Sequence, residues 1–122
     1  RMMQQVPEAD VIVTNPTHYS VALKYDDNGG RAPVVVAKGI EELAMHIRKI
    51  GDAHDVPIVP SPMLTRAIYY STEVAHEIPH KLFMAVAQVL AYVYQLRAFK
   101  AGKGKRPKPL KKDLPIPPEL RR

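Results

Sequence analysis

The sequence has no cysteine and no tryptophan, and only two phenylalanines. Without cysteine, disulfides and thiolate metal sites are excluded, which fits a reducing compartment. A membrane span needs roughly 18 or more consecutive apolar residues, and no run comes near that length. The start does not read as a signal peptide. Gly-rich phosphate loops are missing too, since Gly39 and Gly51 stand alone. No serine sits in a distinctive nucleophile context, so a hydrolase triad is not indicated. Histidines are present, but His46, His54, His76 and His80 are poorly placed for metal. Pro79 separates the last two, and no carboxylate-rich partner set accompanies them. Asp26-Asp27-Asn28 begins like a calcium loop, but Gly29-Gly30-Arg31 breaks the ligand spacing, leaving a solvated turn. Neither a metal nor a cofactor is expected.

The net charge of +6 invites a nucleic-acid reading, but its distribution argues against one. Residues 101–122 hold eight basic and two acidic residues, so this segment carries the whole excess and the first hundred residues are neutral. The basic segment lacks interleaved aromatics, so specific nucleic-acid binding is not expected. Contact with anionic lipid stays open. Its lysines and five prolines suggest a flexible tail over 101–122.

At 122 residues the chain has room for one domain. It begins with Arg1 rather than Met, so residues 1–9 are expected to be a linker, or the end of a helix, arriving from an N-terminal part of a longer protein. The organised body spans 10–100. Residues 11–14 are a β-branched run suited to a strand covered on both faces. Residues 19–25 alternate, with Tyr19, Val21, Leu23 and Tyr25 on one face and a wetter opposite face. A third strand follows Pro33. From Gly39, apolar residues Ile40, Leu43, Ala44, Ile47 and Ile50 recur at helical spacing, and Gly51 ends the pattern. A short fourth strand lies at 56–60. Ser61-Pro62 reads as a cap with proline in the first turn. The longest helix covers about 80–99. The expected fold is α/β: a small mixed sheet of about four strands with helices packed around it.

The chemically unusual stretch is Val11-Ile12-Val13-Thr14-Asn15-Pro16-Thr17-His18-Tyr19. An apolar run stops at Asn-Pro and an alternating one follows at once. Proline has no backbone N–H, so the usual ageing reaction of asparagine is blocked. One intramolecular route remains. The Asn15 amide nitrogen attacks its own carbonyl carbon, closes a succinimide and expels Pro16 as a new N-terminus. A half-life of minutes corresponds to a barrier of about 21 kcal/mol, and one of a day to about 24. A strained turn with one hydrogen-bonding neighbour suffices for a single turnover in that range. His18 is the obvious neighbour, to orient the amide or take its proton. An isolated Asn-Pro usually marks an ordinary turn, and on the dipeptide alone that reading outweighs self-cleavage.

Asn15-Pro16-Thr17-His18, with Asp10 to Thr14 before it and Tyr19-Ser20-Val21-Ala22-Leu23-Lys24-Tyr25 after it, resembles the cytoplasmic domain of the FlhB/YscU family of type III export switch proteins. The resemblance continues through Val36-Ala37-Lys38-Gly39, Val56-Pro57-Ile58, Leu64-Thr65-Arg66-Ala67-Ile68-Tyr69 and Ile78-Pro79. It ends in Ala87 to Leu96. The Ala-Lys-Gly segment and the Tyr-Gln-Leu ending look like the flagellar branch.

The resemblance implies self-cleavage between Asn15 and Pro16. Asn15 supplies the nucleophile, Pro16 is the leaving amine, and Thr17 and His18 shape and assist the turn. It also implies two fragments that stay together and a change of export specificity from rod-and-hook to filament substrates. The implied partners are export substrates, the hook-length control protein and other export-gate components. The implied location is the cytoplasmic side of the bacterial inner membrane, below a multi-pass membrane domain. Substrates would dock on a small apolar patch, with Ala32, Pro33, Ala87 and Leu90 as candidates. Two other functions remain in view: a docking module that does not cleave, and a basic adaptor for lipid or nucleic acid.

Overall fold

The computed structural model describes residues 1–26 and 28–122; Asp27, in the expected Asp26-Asp27-Asn28 turn, lies outside the described residues. Four strands form one mixed sheet: β1 (Val11–Asn15), β2 (Tyr19–Lys24), β3 (Val34–Ile40) and β4 (Ile58–Pro60), in the order β3-β2-β1-β4. The pairs β1–β2 and β2–β3 are antiparallel, and β1–β4 is parallel. Among the described residues, α1 (Glu41–Ala53) lies between β3 and β4, and α2 (Pro62–Ser71) and α3 (Phe83–Lys100) follow β4.

The continuous run Val11-Ile12-Val13 is explained by cover on both faces, as expected. Val11 and Val13 join Val21, Leu23, Leu64, Ile68, Val86 and Val89 under α2 and α3. Ile12 points the other way, to Ala22, Ala37 and Ile47 under α1. Pleating therefore divides one strand between two cores.

Several local expectations need correction. The second face of β2 is not wet. Ser20 and Ala22 are fully buried there, and Ser20 Oγ donates to the Ala44 carbonyl at 2.9 Å. Small side chains on this face let α1 lie close. Gly39 does not open a helix. It stays in β3 opposite Ser20, with Ile40 opposite Tyr19, because strand pairing outweighs local helical periodicity. Ile40 and Leu43 are consequently exposed. Gly51 lies inside α1 rather than after it, and a Cβ there would run into Ile12 Cδ1. The glycine serves close packing, not termination. Ser61 is at the start of α2 with Pro62 in the first turn, but its hydroxyl makes no capping bond.

The outer edge of β3 is covered by residues 75–78. Ala75 N–H donates to the Val35 carbonyl at 2.7 Å, Val35 N–H to the His76 carbonyl at 3.0 Å, and Ile78 N–H to the Pro33 carbonyl at 3.0 Å.

Both chain ends depart from the sequence reading. Residues 1–9 are not a bare linker: Met2–Glu8 is a 3-10 helix, and its Val6 is fully buried in the core under α1. Residues 101–122 are not a free tail. Leu114 and Ile116 are each 5% exposed and belong to the core under α2 and α3, with Leu110 and Leu120 partly buried against it. Composition averaged over the segment hides this spacing of four apolar residues. Its prolines also lower the entropy lost when an extended chain is fixed.

Two measurements test the docked tail. Leu114→Ala should lower unfolding stability by about 2 kcal/mol, read as a lower urea midpoint; a free tail leaves the midpoint unchanged. Near the chain end, Lys81 Nζ donates to Glu119 Oε2 at 2.6 Å. That bond, with a backbone hydrogen bond, holds the Glu119 carboxyl below its ordinary range. A depressed carboxylate supports the docked state above its unfolded pKa and loses that support as pH falls through the lower folded value. Amide protection at Leu120 and Arg121, each taken relative to the intrinsic exchange rate at the same pH, should therefore fall only at acid pH, and Lys81→Ala should remove the acid dependence.

Candidate functional site

The turn between β1 and β2 is built from the four residues singled out in the sequence. Asn15 pairs with Tyr19 across the hairpin, and His18 N–H donates to the Asn15 carbonyl at 3.0 Å. Proline occupies the second position of this four-residue turn. Thr17 occupies the third with φ of 73°, which is the type II pattern and normally calls for glycine or asparagine. A β-branched threonine there stores strain of about 1–3 kcal/mol. Position 41 shares the feature, since Glu41 has φ of 50°.

These two strained points are clasped together. Glu41 N–H donates to the His18 carbonyl at 2.9 Å, and His18 Nδ1 lies 3.0 Å from Glu41 Oε2. The first residue of α1 thus holds His18 by main chain and by ring. The sequence reading set the imidazole beside the Asn15 amide, whereas its Nδ1 contact is with Glu41.

The Asn15 amide is held from α2. Arg66 Nη1 donates to Asn15 Oδ1. Leu64, Thr65, Ala67 and Ile68 bury the opposite face of α2, and Ser61 N–H donates to the Thr14 carbonyl at 2.8 Å. The helix is therefore anchored to the residue just before Asn15. Arg66 Nε also donates to a main-chain oxygen of Arg122 at 2.7 Å, so the end of the tail reaches the same guanidinium.

Beside the turn, Tyr19, Tyr69 and Tyr70 pack edge to face with centroids 5.1–5.9 Å apart. The Tyr19 and Tyr70 hydroxyls are 2.5 Å apart. Lys38 Nζ donates to the Tyr69 carbonyl at 2.8 Å, and the Arg122 guanidinium lies 5.0 Å from the Tyr70 ring centre. The hydrogen bond with Tyr70 pushes the Tyr19 phenol above its ordinary value. Partial burial and the neighbouring phenol add to the shift, and Arg66 opposes it.

The four residues named for docking also come together. Ala32, Pro33, Ala87 and Leu90 line one groove of about 470 Å³, joined by Tyr25 and Phe83. Leu90 is at once core and lining, while Ala87 is exposed. The groove lies at the far end of β2 from the Asn-Pro turn, because Lys24 pairs with Val34 there and Tyr19 with Ile40 at the near end. A six-residue strand separates them by roughly 20 Å. Among the described residues, no three His, Asp or Glu side chains converge on a common point. The His80 ring packs at a tilt against Phe83, centroids 4.8 Å apart, and His46 and His54 are exposed.

Sequence reasoning missed Arg66, Glu41 and Tyr70. Arg66 and Tyr70 stand four apart on α2, between core positions. Such a pair reads as a solvated helix face until the strand end it faces is known.

Comparison with known proteins identifies the surroundings of this turn. The model of the FlhB HrpN YscU SpaS family matches residues 1–93. The chain is 53% identical over 120 residues to the flagellar biosynthetic protein FlhB of Salmonella typhimurium, covering 98% of this chain and 31% of that protein. It spans under a third of that relative's length. The crystal structure of the cytoplasmic domain of FlhB from Shewanella putrefaciens superposes with a TM-score of 0.95 at 49% identity, covering 100% of this chain and 94% of that one. A mutated EscU C-terminal domain matches with a TM-score of 0.71 at 27% identity, over 74% of this chain and 90% of that one.

Tyr70→Phe tests the tyrosine pair. Loss of the shared hydrogen bond should bring Tyr19 back toward its ordinary value, read by alkaline titration of near-ultraviolet absorbance. Because a raised phenol supports the fold below its unfolded pKa and loses that support as pH rises through the folded value, the variant should also lose less stability above pH 10.0. An unmoved titration would assign the shift to burial instead.

Proposed function

The chain belongs to the FlhB HrpN YscU SpaS family, and from that membership we propose that it is the cytoplasmic part of a flagellar type III export component that severs its own backbone between Asn15 and Pro16. Nδ2 of Asn15 loses a proton and bonds to the Asn15 carbonyl carbon. The carbonyl electrons move onto an oxygen already receiving the His18 N–H. The carbon–nitrogen bond to Pro16 then breaks, and the Pro16 nitrogen takes up a proton as it leaves. Water opens the resulting succinimide to a C-terminal asparagine or its isomer. The reaction is a single turnover.

The observation that carries this reading is the Asn-Pro turn itself: a strained, clasped type II turn at the end of an interior strand. Its position explains how cleavage spares the fold. After the cut, residues 1–15 still hold β1 between β2 and β4, with Val6, Val11, Ile12 and Val13 fully buried. Each large apolar side chain contributes about 1.5–3 kcal/mol and each ladder hydrogen bond about 1 kcal/mol. The fragments therefore stay associated while the turn gains a free carboxylate, a free amine and freedom to move.

In this proposal the change in the turn switches export from rod-and-hook to filament substrates. The parent protein sits in the bacterial inner membrane with this domain on the cytoplasmic side. Export substrates dock in the groove of Ala32, Pro33, Ala87 and Leu90, and the hook-length control protein and other export-gate components act on the same domain.

Mass spectrometry of the purified domain tests the cleavage. The wild type should give two chains split after Asn15 that co-elute on gel filtration, and Asn15→Ala should give one intact chain. A wild type that stays intact for days at neutral pH leaves only a docking module with an ordinary turn.

A further inference from the structure

Resting on the self-cleavage proposed above, we propose that Arg66 is a catalytic residue of that reaction: it holds Asn15 by Oδ1 and stabilises the negative charge that forms there as Nδ2 loses its proton. The difficulty in the cyclisation is the nucleophile. A primary amide is a poor one, because its nitrogen lone pair is delocalised into the carbonyl. Deprotonation supplies the missing reactivity, and the resulting anion shares its charge between Nδ2 and Oδ1. A permanent cation at Oδ1 therefore favours the reactive form.

Arg66 has the required properties. A guanidinium carries only donors, so the amide must turn its oxygen toward α2. Nδ2 is thereby left on the side away from the guanidinium. Nη1 makes this bond while Nε is fixed by the Arg122 main-chain oxygen at 2.7 Å. The helix beneath is rigid, being anchored by four buried residues and by the Ser61–Thr14 bond. The donor is thus in position before reaction starts, which is where electrostatic catalysis gains most.

The electron flow places a donor at each oxygen that takes up charge. Arg66 serves Oδ1 while the amide is an anion, and the His18 N–H serves the main-chain oxygen in the tetrahedral intermediate. When the intermediate collapses, the pair in the breaking bond goes to the Pro16 nitrogen and Oδ1 becomes an imide oxygen. The proton from Nδ2 goes to water and water returns one to the Pro16 nitrogen, so no atom is left over. His18 need not reach the amide in this scheme; its backbone N–H contributes, and its ring holds the turn through Glu41.

Cleavage should be followed by cell-free synthesis of the 122-residue domain and mass spectrometry at timed intervals. Arg66→Ala should slow cleavage roughly 10²-fold, the usual effect of losing one such donor. Arg66→Lys, which keeps charge but not the planar fork, should be intermediate. Free methylguanidinium at millimolar levels should accelerate Arg66→Ala while leaving the wild type and Asn15→Ala unchanged. Thermal melting of each variant monitors the fold. If the wild type cleaves and Arg66→Ala and Arg66→Lys match its rate, the role of Arg66 is refuted and self-cleavage stands. If Arg66→Ala is slow, gains nothing from methylguanidinium and melts lower, and Arg66→Lys is folded but as slow, Arg66 is a structural tie only. If the wild type itself stays whole, the parent proposal fails and this one with it.

Discussion

Strand β1 is gripped on four sides. Its two edges pair with β2 and β4, and its two faces feed separate cores under α1 and under α2 and α3. Five residues therefore pair with both neighbouring strands and send side chains into both cores. This grip allows an adjoining turn to carry strain. Left-handed Thr17 and Glu41 are unfavourable alone and persist because the strands and α1 dictate where their backbones run. The same grip confines any break at Asn15 to the turn, since the strand before it is held by far more than its covalent link to the strand after it.

The turn has two kinds of partner, and they act on different parts of it. Glu41 holds the His18 side of the loop through main chain and ring. Arg66 holds the Asn15 side chain. The first comes from the helix that follows β3 and the second from the helix that follows β4, so the turn is shaped by both layers packed on the sheet. Through Arg122 and its contacts with Arg66 and Tyr70, the C-terminal segment is joined to the same group.

The sequence displayed the strands, the three helices and the Asn-Pro turn because each rests on local pattern: a β-branched run, a 3.6-residue period, a proline after asparagine. It did not display what depends on approach between distant segments. Gly39 looks like a helix start until β2 is placed beside it, and Gly51 looks like a helix end until Ile12 is set against it. Leu114 and Ile116 are diluted by lysine and proline around them. Arg66 and Glu41 are ordinary charged residues on helices until the turn they hold is seen between them. The groove residues Ala32, Pro33, Ala87 and Leu90 were named through a family resemblance, and the structure gathers them around one hollow.

The sheet's borders carry a last consequence. On one side the strand β3 is already paired by residues 75–78. On the other, β4 is three residues long with prolines at 57 and 60, and proline offers no donor. Neither border is a ready template for another extended polypeptide. An open border would otherwise let another extended polypeptide add as a fifth strand, whatever its sequence. With β3 paired and β4 short and proline-flanked, contact with another chain is left to side chains and hollows, which can tell one sequence from another in a way that backbone pairing cannot.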